Sequence, residues 1–486
     1  MSAVGSILTN QGALNALQSI SNTSRTNNTL ESQLSSGLSI NSPADNPAGY
    51  ITAQGFTSQL NGITQAISNA NQGVSLLQTA QGALQQQIGV VQQLNSIAVQ
   101  AANGTQTPQE SQSLQNVVSQ LTGQVNTIAK QTQFNNISLL DGTFSNVQFQ
   151  VGANEGQTIS LSIGNTSAGG LGLNASTAKF GTTGVFNSVN NGSAASGALT
   201  VGAAASAFTA GKLAITSNSG QTGSATVTAS ESAKSIAAAV NLSTGSTGVA
   251  AQATTSITLS LTAGSANGGF QFKLQGSGSA QTINAQSATA LASQINGNTA
   301  TSGITATLNA AGTKLTLTQS QGNNIAITGV SSGSLSTTGS TPQVLSSTNA
   351  SGVVQGQVQL QSSAAFSVGG SADVGLNAAS TLTSLSQINV STVAGANTAI
   401  NVVKFALQGL NNQGGQLGAV QQRLQANINN LNTTSQNITN ALGVVQDANI
   451  PQVSNQLTQA QIQAQAGVAA LKSSTTLQQS FLSLLP

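Results

Sequence analysis

Acid–base, metal and nucleophilic chemistry need side chains that this sequence almost wholly lacks. There is no His and no Cys among its 486 residues. Without them the usual zinc sites, thiolate nucleophiles and Ser-His-Asp triads cannot be assembled. A zinc protease carried on an insertion is excluded on the same ground, because it needs a His-Glu-x-x-His helix. The carboxylates are Glu31, Asp45, Glu110, Asp141, Glu155, Glu231, Asp373 and Asp447. Gly268-Gly269 and Gly369-Gly370 read as turns rather than phosphate-binding loops. No catalytic residue, metal ligand or cofactor-binding residue is therefore expected, and the chain reads as something other than an enzyme. What its abundant residues can do is bury apolar surface and form uncharged hydrogen bonds.

Composition narrows the class further. Hydrophobic residues make up 38% but aromatics only 3%, so a core must be built from Ala, Leu, Ile and Val. Such a core suits close helix packing better than deep ligand pockets. Charged residues are 4% of the chain, ten basic against eight acidic. That is too sparse for a nucleic-acid or membrane-surface footprint. No stretch approaches the roughly 18 apolar residues of a membrane span. The opening segment MSAVGSILTNQGALNAL is amphipathic, and the first basic residue is Arg25. A cleaved secretory leader opens with positive charge and then an apolar run. The expectation is a cytosolic protein, or one exported without a cleaved signal.

The two ends carry helical periodicity. Leu60, Ile63, Ile67, Ala70, Val74, Leu77, Leu84, Ile88 and Val91 step by threes and fours, with Gln81 in one slot. This is the pattern of a coiled-coil seam. A helix from Leu60 to Ala101 would span roughly 60 Å. Asn103-Gly104 should break it, and Pro108 can open a second helix through Lys130. At the other end Leu410, Leu417, Leu424, Leu431 and Ile438 lie seven apart, flanked by Val420, Ile428 and Leu442. After Asp447 and Pro451 a stripe of Val453, Leu457, Ala460, Ala464, Val468 and Leu471 continues. An ordinary helical bundle would show such stripes too, but these lie at opposite ends of the chain. Each is expected to close against the other, with the middle looped out. The remote ends, 1–40 and 452–485, have weak faces (Ile7, Leu14, Leu17; Ala464, Ala469). Helices of that kind are marginal alone in water and should gain order by packing in an assembly.

Between about 142 and 395 the pattern changes to short alternating runs: Val147–Val151, Thr158–Leu161, Ile257–Leu261, Lys314–Thr318 and Asn324–Ile327. Gly, Ser, Asn and Thr separate them, as in a β-rich, turn-rich region. The composition also admits a low-complexity reading. An internal repeat lies here. Ser232–Ile236, Val240-Asn241 and Thr247-Gly248-Val249 match Ser287–Leu291, Ile295-Asn296 and Ser302-Gly303-Ile304 at a constant offset of 55 residues. Each copy reads as a short helix, a Gly turn and two strands. A strand stands ahead of each, at Lys212–Ile215 and Phe270–Leu274, which suggests two similar α/β modules.

Certain segments carry a resemblance to a known family. Leu34-Ser-Ser-Gly-Leu-Ser-Ile-Asn-Ser42 with Asp45-Asn-Pro-Ala-Gly49 is similar to the amino-terminal signature of bacterial flagellins. Val74–Leu84, Ala98–Thr105, Gln131–Asn135 and Phe149–Ile159 continue it in family order. Leu417–Leu424, Ala460–Ala466 and Leu482–Leu485 resemble the carboxyl-terminal signature. The resemblance covers roughly 1–165 and 395–486, and the central repeat resembles insertion modules of that family.

The resemblance implies an α+β multidomain fold. Its N- and C-terminal helices pair in a coiled-coil inner tube and a helical spoke, with β-rich modules outside. The implied divisions are 1–40 as an inner-core helix and 41–180 as the spoke with a β-hairpin region. Residues 181–390 form variable outer modules, 391–450 the carboxyl-terminal spoke helix and 451–486 the second inner-core helix. It implies a helical homopolymer used for swimming, exported through the flagellar type III apparatus. Its partners would be other copies of itself, an export chaperone, the filament cap and hook–filament junction proteins. The alternatives are a hook–filament junction protein, which shares both signatures, and a secondary role in surface adhesion. Some positions depart from the family pattern. Gln33 and Ser39 stand where basic residues are common, and the chain ends in Pro486. Gln93, Asn95 and Ser96 stand where members detected by the flagellin-sensing Toll-like receptor carry two arginines and a glutamate.

Overall fold

In a computed structural model the described residues are 10–179, 188–190, 211–227, 232–263, 269–338, 342–347, 351–370 and 379–482. Glu231, Asp373, Ile7, Gly268 and Pro486 lie outside them. The long helices follow from local signals. Helix α1 (Gln11–Ser36) is capped by Asn10, whose side chain accepts from the Ala13 N–H at 2.9 Å. It stops at Gly37, which takes the left-handed conformation (φ +74°) that glycine adopts without penalty. Helix α2 (Pro47–Ala101) opens on a proline, whose missing N–H has no partner to lose there. Helix α3 (Pro108–Gln131) has a complete capping box between Thr107 and Glu110.

The chain then runs through β1 (Gln133–Phe134), β2 (Ile137–Ser138), β3 (Val147–Gln150), β4 (Thr158–Leu161), β5 (Gly172–Lys179) and β6 (Ser188–Asn190). The first copy of the repeat is β7 (Gly211–Ser217), β8 (Thr222–Val227), α4 (Ala233–Asn241), α5 (Thr244–Thr247) and β9 (Ala250–Thr262). The second is β10 (Phe270–Gln275), β11 (Gln281–Ala285), α6 (Ala288–Gly297), α7 (Thr299–Ser302), β12 (Ile304–Leu308) and β13 (Lys314–Gln319). Next come strands β14 (Ile325–Ser332), β15 (Ser334–Thr337), β16 (Val344–Leu345), β17 (Ser351–Val354), β18 (Gln357–Ser362), β19 (Phe366–Gly370) and β20 (Thr381–Ser384). Helices α8 (Val393–Gln446) and α9 (Ile450–Leu482) complete the described chain.

Two compact units result. One lies within Met1–Gln78, Asn146–Ser162 and Leu417–Pro486, the other within Thr79–Ser145 and Ile163–Gln416. In the first, the amino- and carboxyl-terminal seams do close on each other. Ile63 and Ala66 are buried with Leu431, and Ile67 and Ile438 pack against them. Gly73 faces Leu424 and Phe149 so closely that an added Cβ would lie 3.2 Å from Leu424 Cδ1. The β3–β4 hairpin lies along α2, where Asn69 Nδ2 donates to the Gln150 carbonyl at 3.1 Å.

The register of that seam differs in one row from the expected one. The buried stripe of α2 is Ile63, Ala66, Ala70, Gly73, Leu77, Ala80, Leu84, Gln87, Val91, Leu94, Ala98 and Ala101. It keeps the alternating three and four, and it shares Ile63, Ala70, Leu77, Leu84 and Val91 with the sequence reading. The other row falls at 66, 73, 80, 87 and 94, while Ile67, Val74 and Ile88 are only half-buried. Small residues occupy this inner row at 66, 73 and 80, where they let the facing backbone approach.

In the second unit the two copies of the repeat share one plan. Each begins with a hairpin, β7–β8 or β10–β11, where one strand was expected. A helix comes next, then one helical turn ended by a left-handed glycine, Gly248 or Gly303. In both copies an Asn clasps the backbone ten residues on. Asn241 accepts from Ala251 N at 2.7 Å and donates to Ala251 O at 3.0 Å; Asn296 treats Ala306 alike at 2.7 and 2.9 Å. Beyond this clasp the copies diverge. The first has not two strands but the single 13-residue β9. Its start pairs with β18 and its continuation with β13 of the second copy, so it belongs to both. The two copies centre on separate clusters, although β9 of the first lends Ile257 and Leu259 to the cluster of the second. One is built on Ile215, Ile236 and Phe366, the other on Phe272, Leu291 and Leu317.

Candidate assembly surface

The terminal helices α1 and α9 run antiparallel in the first unit. Asn10 Nδ2 donates to the Ser474 carbonyl at 3.2 Å, and Ser474 Oγ donates to Asn10 Oδ1 at 3.0 Å. At the other end Ala448 N donates to Gly37 O at 2.9 Å, and Ser39 N to Gln446 O at 2.7 Å. These bonds tie the α1–α2 turn to the α8–α9 break.

Between those ends the contact is thin. On α1 the residues turned inward are Ala13, Ala16, Ile20, Thr23, Asn27, Leu30 and Gln33, and of these only Leu30 is fully buried. On α9 they are Val453, Leu457, Ala460, Ala464, Gly467, Leu471 and Ser474. Gly467 takes the slot expected for Val468, and a Cβ there would sit 2.9 Å from Ile20. Other large aliphatic residues face the other way. Leu14 is 53% exposed, Leu17 54%, Ile462 61%, Val468 56% and Leu477 56%. Leu14 and Leu17, read from the sequence as part of a weak face that packs in an assembly, lie outside the α1–α9 contact, because the small residues beside them allow closer backbone approach. Arg25, Glu31 and Lys472 are the charged residues of these two helices.

Three of the carboxylates serve local turns or a helix cap. Asp45 accepts from the N–H groups of Asn41 and Ser42 and from the Ser42 hydroxyl, and these bonds hold its pKa below the ordinary value. Glu110 accepts from the Thr107 N–H and hydroxyl at 2.8 Å each, which lowers its pKa likewise. Asp141 is lowered by the Thr143 hydroxyl and N–H. Among the described residues no three His, Cys, Asp or Glu side chains gather as they would around a metal ion. No described helix is long and apolar enough to cross a membrane. Gly369 and Gly370 lie in strand β19, where Gly370 passes close to the Lys212 carbonyl.

Hydrophobic periodicity does not reveal Gln87. It is fully buried in the seam of α2, and its Nε2 donates to the carbonyls of Val125 at 3.2 Å and Thr166 at 3.1 Å. Its place in the three-and-four stepping was the available signal, hidden because a polar side chain does not register as core.

A chain whose paired ends turn aliphatic surface outward, with β-rich modules between them, is by class a multidomain α+β structural protein. Comparison with known proteins narrows this. The model of the bacterial flagellin N-terminal helical region matches residues 7–145, and that of the C-terminal helical region matches residues 400–485. The B-type flagellin of Pseudomonas aeruginosa is 36% identical over 498 residues, which cover 98% of this chain and 99% of that one. Flagellin 1 of Proteus mirabilis is 42% identical over 141 residues, 29% of this chain and 39% of its own. Among solved structures, FliC from Burkholderia pseudomallei is 21% identical and covers 72% of this chain and 99% of its own, with a TM-score of 0.30. Xanthomonas campestris FlgL is 11% identical over 79% and 98%, with a TM-score of 0.32. Those two scores are too low to bear on the architecture. The chain belongs to the bacterial flagellin family. It is a structural subunit of the flagellar filament, and this reading prevails over that of a junction protein.

Proposed function

We propose that the chain polymerises through the outward faces of α1 and α9, and that this contact builds the core of the filament. One observation carries the reading: the helices meet through a narrow stripe of small residues with a few aliphatic ones, Leu30 and Val453 the most buried, and leave Leu14, Leu17, Ile462, Val468 and Leu477 in solvent. Covering such surface stabilises an assembly by about 25 cal/mol per Å². A heterologous contact repeated without closure gives a filament rather than a ring. In this reading 1–40 and 451–486 form the inner core, 41–180 and 391–450 the spoke, and 181–390 the outer surface. The subunit has a scaffolding role with no catalysis, its described carboxylates with lowered pKa being engaged in turns and a cap. It reaches the growing tip exported without a cleaved leader and in an unfolded state. Marginal terminal helices and the absence of disulfides suit that route. An export chaperone, the filament cap and junction proteins would be its partners on the way. Amide exchange on monomer and polymer tests the core of this proposal. Residues 11–36 and 450–482 should exchange freely in the monomer and become strongly protected on polymerisation. Equal protection in both states would overturn it.

A further inference from the structure

We infer that Asn103 is a site of spontaneous covalent modification, at which the folded chain deamidates. Asn followed by Gly is the pair most prone to this reaction, because glycine leaves the attacking nitrogen unhindered. The sequence holds five such pairs, beginning at Asn61, Asn103, Asn191, Asn267 and Asn296; Asn191 and Asn267 lie outside the described residues. The fold sorts the other three. Asn61-Gly62 sits within the 55-residue helix α2. There the Gly N–H is held in the helical ladder, and the backbone angle keeps it away from the side chain. Asn296-Gly297 closes α6, and both polar atoms of the Asn296 side chain are engaged by Ala306.

Asn103-Gly104 has neither protection. Helix α2 ends at Ala101, and the last bonds before the turn are Ala102 N to Ala98 O and Asn103 N to Gln100 O. Both residues are exposed. Among the described residues, neither the Asn103 side chain nor the Gly104 N–H has a hydrogen-bond partner. The Gly104 nitrogen can therefore attack Asn103 Cγ. It loses its proton as the side-chain nitrogen departs as ammonia, closing a five-membered imide. Water then opens either carbonyl, giving aspartate or, with an extra methylene in the main chain, isoaspartate. Amide and water are consumed; carboxylic acid and ammonia are produced. Each event adds one carboxylate to a chain that has eight and takes the formal charge from +2 to +1.

The structure also supplies a clean control. A Cβ at Gly104 would meet nothing within 4 Å, so Gly104→Ala fits the fold while crowding the ring closure. The test ages purified full-length monomer in mildly alkaline buffer and maps peptides by mass spectrometry, with and without urea. In the folded protein Asn103 should convert to mixed aspartate and isoaspartate while Asn61 and Asn296 persist. Gly104→Ala should slow the conversion by about an order of magnitude. Urea should bring Asn61 and Asn296 up to the rate of Asn103. Conversion of Asn103 no faster than that of Asn296 in the folded chain, or at an unchanged rate in Gly104→Ala, would overturn the inference.

Discussion

Gln87 shows how much one uncharged residue can carry in a chain so poor in charge. It occupies a seam slot that a leucine would fill, yet it reaches the carbonyls of Val125 and Thr166, 38 and 79 residues away. Its Oε1 is buried with no hydrogen-bond partner. The side chain is thus half satisfied, and its value lies in the two donated bonds rather than in burial. Gln87→Ala should lower stability by about 2–4 kcal/mol, from the lost bonds and the cavity together. Gln87→Glu should do worse, because a carboxylate would then face two carbonyl oxygens. Urea denaturation tracked by helical circular dichroism would read both. An alanine variant with an unchanged midpoint would mean that the two bonds contribute nothing.

At the scale of elements, the long helices and several of the strands could be read from the sequence, and the inner row of the seam could not. The leucines at 410, 417, 424 and 431 are all buried as their spacing required. Runs such as Thr158–Leu161 and Lys314–Gln319 alternate as strands should. In α2, by contrast, Ala66, Gly73 and Ala80 lose to Ile67 and Val74 in any ranking by hydrophobicity. Contact distance decides such a row, and sequence periodicity does not report distance. Strand β9 escapes a sequence reading because its pairing changes partner midway without a break in the alternation. The seam and the repeat each suggest a substitution. Leu424→Asp places an unpaired charge against Gly73 and should cost several kcal/mol, about enough to abolish assembly. Filaments of normal length from that variant would show that the seam is not where the subunit is held. Asn241→Ala and Asn296→Ala should each cost about 1–2 kcal/mol. The loss should register as faster amide exchange at Ala251 and Ala306 respectively. A large effect in one copy with none in the other would mean that the shared geometry hides unequal roles.

For the molecule as a whole, the scarcity of charge sets its response to acid. Eight side-chain carboxylates and no histidine mean that protonating side chains in acid adds at most eight positive charges to 486 residues. Unperturbed carboxyl groups titrate near about pH 4, so almost nothing changes before then. Asp45, Glu110 and Asp141 are stabilised in their ionised forms by turn and cap hydrogen bonds, and their folded pKa values lie below the unfolded ones. A group shifted this way contributes stability that is fully present above its unfolded pKa and lost as pH falls through the lowered folded value. These three anchors therefore hold their bonds to lower pH than an unperturbed carboxylate would, and lose them as the pH falls through their lowered values. The remaining support, apolar seams and amide or hydroxyl hydrogen bonds, does not titrate at all. Self-repulsion between packed copies also grows little, because so few charges are exposed to one another. Filaments should accordingly persist from about pH 7 down to about pH 3.5, as monitored by light scattering and electron microscopy. Below that, loosening should begin at the 41–45 turn, the start of α3 and the 141–143 turn, visible as faster amide exchange there before the filament shortens. Depolymerisation well above about pH 3.5 would show that a titrating contact between subunits, absent from the isolated chain, dominates the polymer.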